Sequence, residues 1–150
     1  MYHGIVRRRV ASLFEAVNRG DAGPVLAAFG PKFEHVFLGE SALGGTRRSL
    51  AKTRAWYERL YRLLPDLHFD VHTIEISGGP WNTLVVAHWD ETNSGTDGVR
   101  THNRGIHVLH LNWGKATRLI ICPDTVGLVA TLDRLAAHGH PDAHAPMIVD

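Results

Sequence analysis

The chain has 150 residues, a single cysteine and a formal net charge of +1, with 44% hydrophobic and 21% charged residues. That length suits one domain with a real core, and the near-neutral charge excludes a strongly electrostatic partner, so nucleic acid is not expected. Cys122 alone can form neither an internal disulfide nor a cysteine-based zinc site, which fits a reducing compartment.

The N-terminus, Met1 to Gly4, is followed by arginines rather than the apolar stretch of a secretory signal. No segment approaches the run of about 20 apolar residues needed to span a bilayer. A cytoplasmic protein with no membrane partner is the expectation. Ile5, Val6, Val10, Leu13, Phe14 and Val17 recur at helical spacing, predicting a helix from Ile5 to about Arg19. Gly20-Asp21 then stops it and starts a short second helix containing Pro24, Val25, Leu26 and Phe29, ended by Gly30-Pro31. Lys32 to Leu38 reads as a strand with Phe33, His35 and Phe37 on one face. After a glycine-rich bend at Gly39 to Gly45, Thr46 to Leu64 is the longest helical pattern. The basic pairs and triplets, Arg7 to Arg9 and Arg47-Arg48, fall on predicted helices and read as solvated faces.

Strands dominate the rest: Leu67–Ser77, Trp81–Thr92, Val99–Trp113 and Ala116–Cys122, the last two joined by a tight turn at Gly114-Lys115. Asp124 is placed to cap a final helix through about Ala137. Residues 1–138 make the domain, and 139–150, rich in proline and without periodicity, are expected to be loosely ordered. Helices first and consecutive strands later predict an α+β domain with a curved mixed or antiparallel sheet wrapped against helices. Leu84 and Val86 occupy one face of their strand, and Val85, Ala87 and Trp89 the other. With both faces apolar, helices are expected to cover one and a second copy of the chain the other.

This order of elements resembles the SnoaL-like family of the nuclear transport factor 2-like superfamily. Local matches are Phe29–His35, Leu64–Phe69, Ile106–Leu111, and Cys122–Gly127, which is similar to the family's Trp-Pro-Asp entry into the terminal helix. The resemblance covers roughly residues 5–138 and implies a cone of helices and curved sheet enclosing a pocket, commonly as a homodimer. Its members include polyketide cyclases, ketosteroid isomerases, epoxide hydrolases, dehydratases and binding-only proteins, so fold alone does not settle function. In the aromatic cyclases an acid/base aspartate stands two residues before the motif's proline; here that position is Ile121. The histidine of the preceding strand is matched by His107.

Which residues face the pocket depends on one turn. With Asp97-Gly98 as a two-residue hairpin turn, His88 lies opposite His107, and Asp90 beside Gly105, on the face that also carries Asn103 and Leu109. A loop one residue longer swaps this set for Trp89 and Glu91. In the first register Asp90, in an apolar setting, is expected to have a raised pKa and to act as a base beside imidazoles suited to proton transfer near neutral pH.

The candidate catalytic residues are therefore His107, Asp90, His88 and His35, with Trp56, Tyr57, Asn103, Leu109 and Ile121 as candidate substrate contacts. The competing readings are plain: a cross-strand polar pair for His88 and Asp90, a core histidine for His35 or His107, a core aromatic stripe for Trp56, Tyr57 and Tyr61. Eleven histidines invite a metal, but His107 and His110 point to opposite sides of a regular strand and His138, His140 and His144 lie in the tail, so neither metal nor cofactor is expected. The expected function is cofactor-free acid–base chemistry of isomerase, hydratase or cyclase type on a small apolar or polyketide-like molecule. The alternative is a non-catalytic ligand-binding or dimerisation module.

Overall fold

In the computed structural model, which describes residues 1–150, the chain runs α1 (Tyr2–Asn18), α2 (Gly23–Ala28), β1 (Phe29–Phe37), β2 (Gly45–Arg47), α3 (Leu50–Leu63), β3 (His68–Gly79), β4 (Asn82–Asn93), β5 (Thr101–Asn112), β6 (Lys115–Pro123) and α4 (Thr125–Ala137). Three of the four helices start where a side chain accepts from one of their first free N–H groups. Asp21 accepts from the Gly23 amide ahead of α2, Ser49 from Lys52 at α3, and Asp124 from Val126 and Gly127 at α4.

The six strands form one sheet in the order β2-β1-β6-β5-β4-β3. Only β1 and β6 run parallel; the remaining neighbours are antiparallel. One face is covered by helices, through Val6, Val10 and Phe14 of α1, Trp56, Tyr57 and Leu60 of α3, and Leu128, Leu132 and Leu135 of α4, all in one core. The other face has a half-buried apolar centre, Val86, Val108 and Ile120, three residues aligned across β4, β5 and β6. No helix is long and apolar enough to cross a membrane.

Three expectations change. Thr46–Arg48 is not the start of the long helix: Gly45–Arg47 is a short strand paired with β1, and Arg47 is fully buried opposite His35 rather than part of a solvated basic face. The tail beyond Gly139 has no helix or strand but is not loose. Ala143 is buried, Arg47 donates to the Ile148 carbonyl at 2.7 Å and Arg59 to that of Pro146 at 2.7 Å, and the Asp150 carboxylate meets the Arg48 amide and the Ser49 hydroxyl. Buried arginine donors need acceptors, and backbone carbonyls of the tail supply them.

The third change sets the site. The β4–β5 register pairs Asn93 with Thr101, Trp89 with Gly105 and Ala87 with His107, so the connection is the longer one and Asp97-Gly98 is not a two-residue turn. Asp97 instead pairs with Arg134 of α4 at 2.6 Å, which ties the loop to the terminal helix. One residue of shift exchanges the faces of an entire strand. Val85, Ala87, Trp89 and Glu91 therefore point inward, and Leu84, Val86, His88 and Asp90 outward.

Candidate functional site

Between the inner sheet face and the helices lies a cavity of about 100 Å³, with 24 of its 29 lining residues hydrophobic. Typical ligand pockets reach ~300–1,000 Å³, so this cavity is a small one. The few polar groups carry whatever specificity the site has.

His107 projects from the middle of β5 and lines the cavity, packed against the rings of Phe14, Phe69 and Trp89. The Trp89 indole N–H donates to its Nδ1 at 2.8 Å. Trp89 reaches it because Gly105, directly opposite, has no side chain; a Cβ there would meet the indole at 2.8 Å. Burial pushes the His107 pKa down to about 3, so the ring is neutral, with its proton on Nε2. That atom has no protein partner and keeps accessible surface, leaving an N–H donor toward the cavity. His107 is thus a hydrogen-bond donor rather than a base, since its acceptor nitrogen is already engaged.

Glu91, on the same face of β4, is the one carboxyl in the lining. It is buried, and desolvation pushes its pKa up to about 7, against a weaker opposing effect of the Asn93 hydrogen bond. Asn93 Nδ2 donates to Glu91 Oε1 at 2.8 Å, and the Asn93 oxygen accepts from the Gly95 amide and the Thr101 hydroxyl. One carboxyl oxygen is therefore held, and the other has no hydrogen-bond partner in the protein. Glu91 stands four residues along the strand from Ala87, the partner of His107, or roughly 13 Å. The two polar groups mark separate ends of the enclosure.

The remaining candidates sort by layer. Trp56, Tyr57, Asn103, Leu109 and Ile121 all line the cavity. Trp56 Nε1 is committed to the Leu43 carbonyl, and Asn103 exchanges hydrogen bonds with both backbone groups of Asp124, so Asn103 anchors α4. Ile121 pairs directly with His107 across β5–β6 and adds only apolar surface. His35 is fully buried one layer behind the lining, bonded to Arg47 and Tyr57.

His88 and Asp90 are turned away from the cavity. His88 Nε2 lies 3.6 Å from Glu75 on the outer face. Asp90 accepts from Arg104 at 3.0 Å and from His102 at 3.1 Å and also meets His72. Those hydrogen bonds, Arg104 first, lower its pKa to about 2, the reverse of the expected rise, because its neighbours are cationic and polar rather than apolar. Here the structure corrects the reading of Asp90 as a base. Although two histidines converge on Asp90, no group of three or more His, Cys, Asp or Glu is arranged to hold a metal ion. Glu91 was visible in the sequence only as the companion of the longer loop.

A curved, open six-stranded sheet backed by four helices is the nuclear transport factor 2-like α+β fold. The SnoaL-like domain model matches residues 10–119, and the chain belongs to that family. Solved structures agree on the fold. A nuclear transport factor 2-like protein of unknown function from Burkholderia pseudomallei superposes with TM-score 0.74 at 19% identity, covering 83% of this chain and 95% of that one. TerC, co-crystallised with polyporic acid, gives TM-score 0.72 at 19% identity over 84% and 96% of the two chains. A SnoaL-like polyketide cyclase candidate from Jannaschia gives 0.65 at 15% identity over 83% and 88%. No curated protein sequence matches the chain.

Proposed function

We propose that the cavity carries out cofactor-free acid–base chemistry on a small, largely apolar molecule, with Glu91 as the group that exchanges a proton and His107 as a neutral donor that orients or polarises the substrate. The observation that carries this reading is the single buried carboxyl of an otherwise apolar enclosure, pushed up to about 7 by desolvation. A proton carrier works best when its pKa lies near the working pH. The co-crystallisation of TerC with polyporic acid supports a small organic molecule as the class of occupant. The test is turnover of a panel of enolisable and dehydratable apolar compounds. The expected result is a kcat/KM profile with an apparent pKa near 7 that vanishes in Glu91→Gln with folding intact. An unchanged profile in that variant would remove Glu91 from the chemistry.

A binding-only role is the second reading, favoured by the apolar Ile121 at the position where the cyclases place their aspartate. Equal affinity without turnover across the panel would support it.

The outer sheet face is proposed to pair with a second copy of the chain. Val86, Val108 and Ile120 form its apolar centre, ringed by His88, Asp90, Arg104 and Arg118. Light scattering at micromolar concentration should give twice the chain mass, and Val108→Asp should give a folded monomer.

A further inference from the structure

A buried arginine decides where a tyrosine proton points. Arg47 Nε donates to His35 Nδ1 at 3.0 Å. A guanidinium has no acceptor, so Nδ1 of His35 must be the acceptor and carries no proton. Burial and the adjacent cation hold the His35 pKa well below 6.5, so the neutral ring has its one proton on Nε2. That nitrogen lies 3.3 Å from Tyr57 Oη and can only donate to it. The hydroxyl proton of Tyr57 must then leave in another direction. No other protein group hydrogen-bonds Oη, and Tyr57 lines the cavity.

We propose that Tyr57 is the oxygen-recognising donor of the cavity, that Arg47 and His35 fix its direction, and that the ligand is a compact apolar molecule bearing a ketone or enol oxygen. The inference rests on the cavity being a small-molecule site but requires nothing of Glu91. Sheet geometry enforces the chain, because His35 and Arg47 are direct partners across β1 and β2. Arg47 is locked by the carbonyls of Gly44, Gly45 and Ile148 and lies over the Trp56 ring at 5.2 Å. No carboxylate is bonded to it. A cation at the far end of a hydrogen-bonded chain polarises each successive donor, so Tyr57 gives more to an oxygen that gains negative charge, as a ketone does on enolisation. Tyr57 and His107 are the aromatic-ring donors of the lining left uncommitted; the Trp56 and Trp89 indoles are both engaged. Tyr57 touches the ligand, whereas His35 and Arg47 are positioning residues.

The probes are cyclopentanone and cyclopentane, alike in shape, differing by one carbonyl oxygen and compact enough for the cavity, measured by calorimetry on the full chain. Wild type should prefer cyclopentanone by about tenfold, the worth of one good hydrogen bond. Tyr57→Phe, nearly isosteric, should lose that preference while holding cyclopentane within about twofold. The carbonyl stretch of bound cyclopentanone should fall in frequency in wild type, return toward its apolar-solvent value in Tyr57→Phe, and move partway in His35→Asn. A purely structural role for His35 would leave the band of bound ligand in place. Retained preference in Tyr57→Phe, or equal wild-type affinity for both probes, overturns the proposal and leaves the cavity as a small-molecule site. Failure of both probes to bind wild type overturns the small-molecule reading and the proposal with it.

Discussion

The indole N–H of Trp89 is aimed at Nδ1 of His107 at 2.8 Å, and this one bond settles what His107 can do. An imidazolium would place a second N–H against the indole, so the bond and the burial both favour the neutral ring. Nitrogen-15 spectra should show Nδ1 as the unprotonated nitrogen and Nε2 as the protonated one. The form should persist down to about pH 4, since the pKa is lowered to about 3. His107 thus contributes stability that is fully present above pH 6.5 and lost as pH falls through its folded pKa. In Trp89→Phe, both tautomers should populate.

Glu91 has the opposite sign. Its folded pKa of about 7 stands above the ordinary 4.5, so the native state binds a proton that the unfolded chain has released. Its contribution is full below pH 4.5 and is lost as pH rises through 7. Glu91→Gln should match the wild type near pH 4.5 and exceed it above pH 7, by up to about 3 kcal/mol. Urea titrations at several pH values measure the gap, and a constant difference between the two proteins would contradict a raised pKa.

Deleting residues 145–150 removes the Ile148 acceptor of Arg47 and the Pro146 acceptor of Arg59. Stranding a buried charged donor costs about 1–3 kcal/mol. The urea midpoint should fall accordingly, and Asp150→Asn should shift it less, because Asp150 is exposed. A truncated chain as stable as the full one would mean that the tail only rests on the surface.

Asp124 caps α4 through the amides of Val126 and Gly127. Asp124→Ala should cost about 1 kcal/mol and leave probe binding in the cavity unchanged, because Asn103 bonds only the Asp124 backbone. A loss of binding at unchanged stability would place Asp124 in the site instead.

Much of this was legible in the residue pattern. The α+β order, the capping role of Asp124 and the shared face of Phe33, His35 and Phe37 follow from periodicity and from the family resemblance, whereas Asn103 and Leu109 were placed beside His107 by a hairpin register that the structure shifts. Arg47 was not legible: inside a basic pair before a helix it looks solvated, and only pairing with His35 and the carbonyls of the tail makes its burial tolerable.

Alternation of apolar residues by itself determined that β4 carries apolar side chains on both faces, since each face repeats every second residue whatever the partner strand does. Which face turns inward was decided in three dimensions. Asp97 bonds Arg134, 37 residues further along the chain in α4, lengthening the loop and shifting the register by one. That shift brings Glu91 inside and sends Asp90 out. Side-chain alternation is local, but the phase between two strands is set by contacts distant in the chain, so the one carboxyl of the cavity lining is placed there by the tertiary structure.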